Sequence, residues 1–156
     1  MNERHARNER HTKVTGEPSQ LPALTRFLRE FWAEAALPPE AAHPFEIALE
    51  EIFINVATHG APAGRSAQVE VSLQCEGEEL TLLIEDDGPA FNPLTLAAPN
   101  VHARLEERRV GGLGVHLVRH LMDAVSYERD GAWNRLRLRK RVAPAGTAGT
   151  DRGRFG

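Results

Sequence analysis

The chain has 156 residues, of which 41% are hydrophobic and 26% charged, which is one domain's worth and enough to bury an ordinary core. A net charge of −3 excludes a general affinity for nucleic acid or anionic membrane. The single cysteine, Cys75, excludes a disulfide framework and a cysteine-based zinc motif.

No apolar run is long enough to span a bilayer, and the charged N-terminus lacks a signal-peptide apolar region, so a cytoplasmic protein is expected. Residues 1–11 carry Asn-Glu-Arg-His twice and almost nothing apolar, which predicts a disordered tail. A folded domain is expected over 12–142, followed by a second disordered tail, 143–156, rich in Ala, Gly, Thr and Arg. The domain opens with a short strand over 12–15. Leu21 to Ala36 then reads as a helix with Leu21, Leu24, Phe27, Leu28, Phe31 and Trp32 on one side, Ser19 as its cap and Pro22 in its first turn. Leu37-Pro38-Pro39 ends it, because a residue before proline is pushed out of the helical region.

Phe45 to Gly60 predicts a second helix, with Phe45, Leu49, Ile52 and Val56 on its buried stripe and Ala48 and Phe53 at the borders. Glu51, Asn55 and His59 run beside that stripe at i, i+4 and i+8. A carboxylate and a carboxamide one turn apart at the edge of a core can look into a cleft. One can take a proton and the other can hold a hard cation through its carbonyl oxygen. The plainer alternative is that both solvate the helix flank. Ile47 and Ile54 lie opposite the core stripe, either against the first helix or at a protein interface.

From Ala67 the apolar period becomes two. Val69, Val71, Leu73 and Cys75 alternate with polar residues, Glu76-Gly77-Glu78 turns the chain, and Leu80, Leu82 and Ile84 alternate back. By that parity Asp86 points inward, where a carboxylate costs free energy unless it accepts hydrogen bonds. Asp86-Asp87-Gly88-Pro89-Ala90-Phe91 breaks the strand, and the weakly periodic stretch to Val110 has the length of a lid or binding loop.

Gly111-Gly112-Leu113-Gly114 opens a third helix, with Leu117, Val118, Leu121, Met122 and Val125 expected along its buried side. A last hairpin turns at Asp130-Gly131, with Leu136 and Leu138 on one face and Arg135, Arg137 and Arg139 on the other. The arginines read as a solvated sheet face or as a dock for an acidic partner. Helices gathered on one face of a mixed, mostly antiparallel sheet make a two-layer α/β (α+β) sandwich.

Three separated pieces carry the chemistry. Glu51 and Asn55 share a helix face, Asp86 turns inward at a strand end, and the Gly111-Gly112-Leu113-Gly114 turn presents backbone N–H groups at a helix N-terminus, which suits phosphate. An inward aspartate can accept a hydrogen bond from an exocyclic amine such as that of adenine, and an asparagine carbonyl suits magnesium. The glycine turn is neither a dinucleotide fingerprint nor a P-loop. All three pieces in this order are far more specific than any one.

In these stretches the chain resembles the small bacterial anti-sigma factor serine/threonine kinases of the GHKL superfamily, with the Bergerat-type, histidine kinase-like ATPase fold. The resemblance covers Leu21 to Arg141 and is carried by EEIFINVATHG, EDDGPAFNP and GGLGVHLVRHLMDAVSYERDGAWNRLRLRK. It implies that Asn55 binds Mg²⁺, that Asp86 binds the adenine amine, and that Gly88, Gly112 and Gly114 let the backbone approach ATP. It implies that Glu51 takes the proton from a substrate serine hydroxyl, and that positioning and Mg²⁺ carry most of the phosphoryl transfer. It also implies a homodimer that sequesters a sigma factor or phosphorylates an anti-anti-sigma protein of the STAS fold, with no direct nucleic-acid or membrane partner. A nucleotide-gated binding module without kinase activity is the alternative. The catalytic domain of a two-component histidine kinase would need a dimerising helical segment before Leu21, which the polar N-terminal residues do not provide.

Arg104, Arg108 and Arg109 could reach the γ-phosphate, with solvation as the plainer expectation. His116 and His120, at i and i+4, have no third metal ligand in sight and read as helix surface.

Overall fold

The computed structural model describes residues 8–95 and 112–142. Within these, the elements run β1 (Asn8–Thr15), α1 (Leu21–Glu34), α2 (His43–His59), β2 (Gln68–Glu76), β3 (Glu79–Asp86), α3 (Gly112–Leu121), β4 (Ala124–Asp130) and β5 (Trp133–Arg141). The five strands form one sheet in the order β1-β2-β3-β5-β4. All four pairings are antiparallel, so the expected mixed sheet is wholly antiparallel among the described residues. Two-residue hairpins force this for β2–β3 and β4–β5, and β5 rather than β4 returns beside β3.

Strand β1 begins at Asn8, inside the stretch expected to be tail. Its polar residues gain order from a backbone ladder to β2 that runs from Asn8 opposite Cys75 to Thr15 opposite Gln68. Residues 1–7 and 143–156, the remainder of the expected tails, lie outside the described residues.

Alternation in β2 and β3 puts Val69, Val71, Leu73, Leu80, Leu82 and Ile84 on the inner face, each 2% exposed or less. Against them pack Leu24, Leu28, Phe31 and Trp32 of α1, the Phe45–Val56 stripe of α2, and Val115 and Val118 of α3, all one core. Helix α3 departs from expectation at Leu117, which is 45% exposed. Val115, Val118 and Met122 form its inward line, which leaves Leu117 turned off that face.

Ser19 does not cap α1. A 3₁₀ turn, Pro18–Gln20, leads straight into the helix, and the Leu21 N–H donates to the Pro18 carbonyl, which does a cap's work. Helix α1 stops at Glu34, two residues early. Ala36 takes φ of 55°, and the N–H groups of Ala36 and Leu37 donate to the Ala33 and Trp32 carbonyls, the Schellman arrangement.

The outer sheet face is charged and partly self-paired. Arg135 meets Glu85 at 2.5 Å, Asp130 at 3.2 Å and Glu128 at 3.6 Å, so this member of the arginine row is an ion-pair hub. Ile54 is 37% exposed and Ile47 half-buried.

Candidate functional site

The inner face is apolar until β3 ends. There, Asp86 is 8% exposed and stands directly opposite Asn134 of β5, itself 6% exposed. Among the described residues Asp86 and Asn134 are the only buried polar side chains, and they touch. Asn134 Nδ2 donates to Asp86 Oδ1 at 2.9 Å, and the Gly88 N–H donates to the same oxygen at 2.9 Å. Both bonds fall on Oδ1, so Oδ2 keeps its acceptor capacity. Burial pushes the Asp86 carboxyl up from its usual range, and the bonds from Asn134 and Gly88 oppose that push.

Asp86 lines a cleft whose apolar walls come from Ile52 and Val56 of α2 and from Ile84 and Leu136 of the sheet. Pro89, Phe91 and Pro93, on the strap that follows β3, border it on another side. Asn55 also lines the cleft, and its Nδ2 is buried without a hydrogen-bond partner among the described residues. A buried orphan donor costs about 1–3 kcal/mol, so its retention here points to a partner outside the described residues, a ligand among them. One turn earlier on α2, Glu51 is half-buried. Its carboxyl is raised above the ordinary glutamate range by burial first and by the neighbouring Glu50 second, which makes it a stronger base.

Gly88 has a reason to be glycine besides the expected approach of backbone to ligand. A Cβ there would lie 1.9 Å from the carbonyl oxygen of Gly60, the residue that ends α2. Two backbones therefore touch at this point and fix the end of α2, with Asn55, against the end of β3, with Asp86. Beside the contact, Asp87 clasps the loop after α2. Arg65 donates to its two carboxylate oxygens at 3.3 and 2.9 Å, and the Gln68 N–H donates at 2.7 Å. Partial burial opposes the charge of Asp87, yet the bonds from Arg65 and Gln68 hold its carboxyl below the usual range.

Of the glycine-rich turn, Gly112 is the first residue of α3, and Leu113 and Gly114 lie in its first turn. Gly111 and the lid arginines Arg104, Arg108 and Arg109 lie outside the described residues. His116 and His120 stack edge-on with ring centroids 5.0 Å apart, and His120 Nδ1 lies 3.1 Å from the His116 carbonyl, an ordinary helix-surface arrangement. Asn134, Tyr127 and Arg129 are site residues that the sequence motifs do not single out, although the parity that places Leu136 and Leu138 inward extends to Asn134.

Among the described residues no cluster of three His, Cys, Asp or Glu side chains could hold a metal ion. A hard cation here would take the Asn55 oxygen, brought round by a half-turn of the amide, with its other ligands supplied by phosphate and water. That ligand set suits Mg²⁺, and an Nδ2 without a partner among the described residues leaves the amide unpinned for that turn.

Comparison with known proteins shows the family of the chain. A family model described as the histidine kinase-like ATPase domain matches residues 14–140. The serine/threonine-protein kinase BtrW of Bordetella bronchiseptica is 34% identical over 95 residues, covering 61% of this chain and 67% of that protein. The serine-protein kinase RsbW of Listeria innocua is 27% identical over 131 residues, covering 77% and 82%. Among solved structures, the RsbU and RsbW domains of a Mycobacterium tuberculosis protein superpose with a TM-score of 0.63 at 15% identity, over 86% of this chain. That likeness concerns the fold, and this chain spans 32% of the other. Among the described residues no helix is long and apolar enough to cross a membrane.

Proposed function

This chain belongs to the histidine kinase-like ATPase domain family, and on that footing we propose that it is an ATP- and Mg²⁺-dependent protein serine/threonine kinase. Its substrate on this reading is a STAS-fold anti-anti-sigma protein, and its other partner is a sigma factor that it sequesters as an anti-sigma factor. The kinase names of its Bordetella and Listeria relatives support the reaction class. The anti-sigma role and a homodimeric state follow from the resemblance carried by the three motifs, and the cytoplasmic location in this proposal rests on the composition of the chain.

The observation that carries the reading is the cleft itself. The Asp86 carboxylate, with Oδ2 open, shares apolar walls with Asn55, whose Nδ2 has no partner among the described residues, one helical turn from a glutamate of raised basicity. In the reaction Asp86 accepts a hydrogen bond from the adenine amine while Ile52, Val56, Ile84 and Leu136 flank the ring. Asn55, together with phosphate oxygens and water, would hold Mg²⁺, which would neutralise phosphate charge. On this reading the N–H groups at the start of α3, Gly112–Leu121, receive the phosphates. Glu51 accepts the proton of the substrate serine as its Oγ forms a bond to the γ-phosphorus and the bond to ADP breaks.

Transfer of phosphate from ATP to a serine of a STAS-fold protein, followed by mass, tests the proposal. Glu51→Gln should abolish transfer and leave ATP binding within about twofold, since removal of a general base costs on the order of 10²–10⁴ in rate. Undiminished transfer by that variant would remove Glu51 from the role of base.

A further inference from the structure

Asn134 makes contacts that exhaust its carboxamide. Its two Nδ2 hydrogens go to Asp86 Oδ1 and to the Pro89 carbonyl, each at 2.9 Å, and Nδ2 also lies 3.5 Å from the Gly88 carbonyl. Its Oδ1 accepts from Tyr127 Oη at 2.5 Å, Arg129 at 3.2 Å and the Phe91 N–H at 3.3 Å. Three acceptors on one side and three donors on the other leave one orientation of the amide, so it cannot turn. Arg129 also donates to the Gly88 carbonyl at 2.8 Å. Tyr127 and Arg129 of β4 thus hold Asn134, and Asn134 holds both the strap and one oxygen of Asp86.

We propose that Asn134 is a positioning residue for base selection, fixed by Tyr127, which locks the Asp86 side chain so that Oδ2 alone faces the ligand as an acceptor. This deepens the nucleotide reading above and rests on it. A carboxylate held in this way pairs with an exocyclic amine and repels a carbonyl oxygen at the same ring position. A site built to receive a hydrogen-bond donor discriminates against the analogue that lacks it far better than an apolar pocket discriminates by shape. With Asn134 gone, Oδ1 loses a donor and the carboxylate can rotate. The preference for the amine then falls, while the apolar walls, which do not see the amine, still hold the ring.

Calorimetric titration of the full chain with Mg-ATP and with Mg-inosine triphosphate tests this, because the second carries an oxygen where ATP carries the amine. Wild type should bind ATP at least about tenfold more tightly, the worth of one hydrogen bond to a charged group. Asn134→Ala should weaken ATP about tenfold and leave inosine triphosphate within about twofold, collapsing the ratio. Tyr127→Phe, which removes one hydroxyl at a part-buried site and keeps the ring, should move the ratio in the same direction by about threefold; this variant stands if Asn134→Ala does not fold.

A purely structural role for Asn134 would weaken both nucleotides together and leave the ratio intact, and that result overturns the proposal. Unchanged ratios in both variants also overturn it while leaving nucleotide binding in place. Failure of wild type to bind either nucleotide removes the nucleotide reading and the proposal with it.

Discussion

Asp86 and Asn134 face each other across the β3–β5 pair, with Nδ2 of Asn134 2.9 Å from Oδ1 of Asp86, at the point where an otherwise apolar sheet face ends. An ionisable group in that position costs stability unless its charge is used. The rest of the cleft is arranged around it, with α2 on one side, the Gly88–Phe91 strap on another and the start of α3 following in the chain.

Asn55 should behave as a residue kept for its ligand. Its orphaned Nδ2 is a cost in the nucleotide-free protein. Asn55→Ala should therefore leave the thermal midpoint of the free protein unchanged or higher, while Mg²⁺ no longer strengthens ATP binding. A midpoint several degrees lower with intact Mg²⁺ dependence would assign Asn55 to the core.

Gly88 should tolerate no side chain. A Cβ at this position would stand 1.9 Å from Gly60's carbonyl oxygen, so the two backbones must part to admit even a methyl group. Overpacking of this kind costs about 1–3 kcal/mol. Gly88→Ala should lower stability by that order in urea denaturation, and it should weaken ATP binding because the Gly88 N–H also supports Asp86.

The Asp87 clasp should write itself into the pH dependence of folding. Its folded pKa lies below the ordinary aspartate value of 3.8, so its stabilisation is fully present above that value and is lost as pH falls through the lower folded pKa. Arg65 is half exposed, so screening leaves the charge component at about 1 kcal/mol. Asp87→Asn should be less stable than wild type by about that amount at neutral pH, and the gap should close below pH 3.8. Asp86 and Glu51 contribute with the opposite sign, since their raised values favour the protonated folded form and their cost grows as pH rises. A gap that is the same at acid and neutral pH would show that the clasp acts through shape and not charge.

Much of this architecture is legible in the chain. Strict alternation through Leu80, Leu82 and Ile84 is enough to turn Asp86 inward, and the 3.6-residue stripe of α2 places Asn55 at the core's edge. Asn134, by contrast, becomes a site residue only through the register that sets it opposite Asp86, a relation between strands 48 residues apart. The Gly60–Gly88 contact and the Arg65–Asp87 clasp are likewise long-range and leave no periodic trace. Strand β1 starts earlier than its composition suggests because Asn8, Glu9, Arg10 and His11 owe their order to the ladder to β2 and not to burial. Ser19 has the right identity for a cap, and a 3₁₀ turn before the helix takes that role instead.

The most direct test of the central claim is calorimetric titration of Mg-ATP into wild type and Asp86→Asn. The substitution keeps the shape and replaces the charged acceptor proposed for the adenine amine with a neutral amide. The account predicts saturable binding by wild type and a loss of at least about tenfold in Asp86→Asn, with the melting temperature of the free protein unchanged or raised, because a buried charge has been removed. Equal affinity in the two proteins, or none in wild type up to millimolar nucleotide, would contradict it.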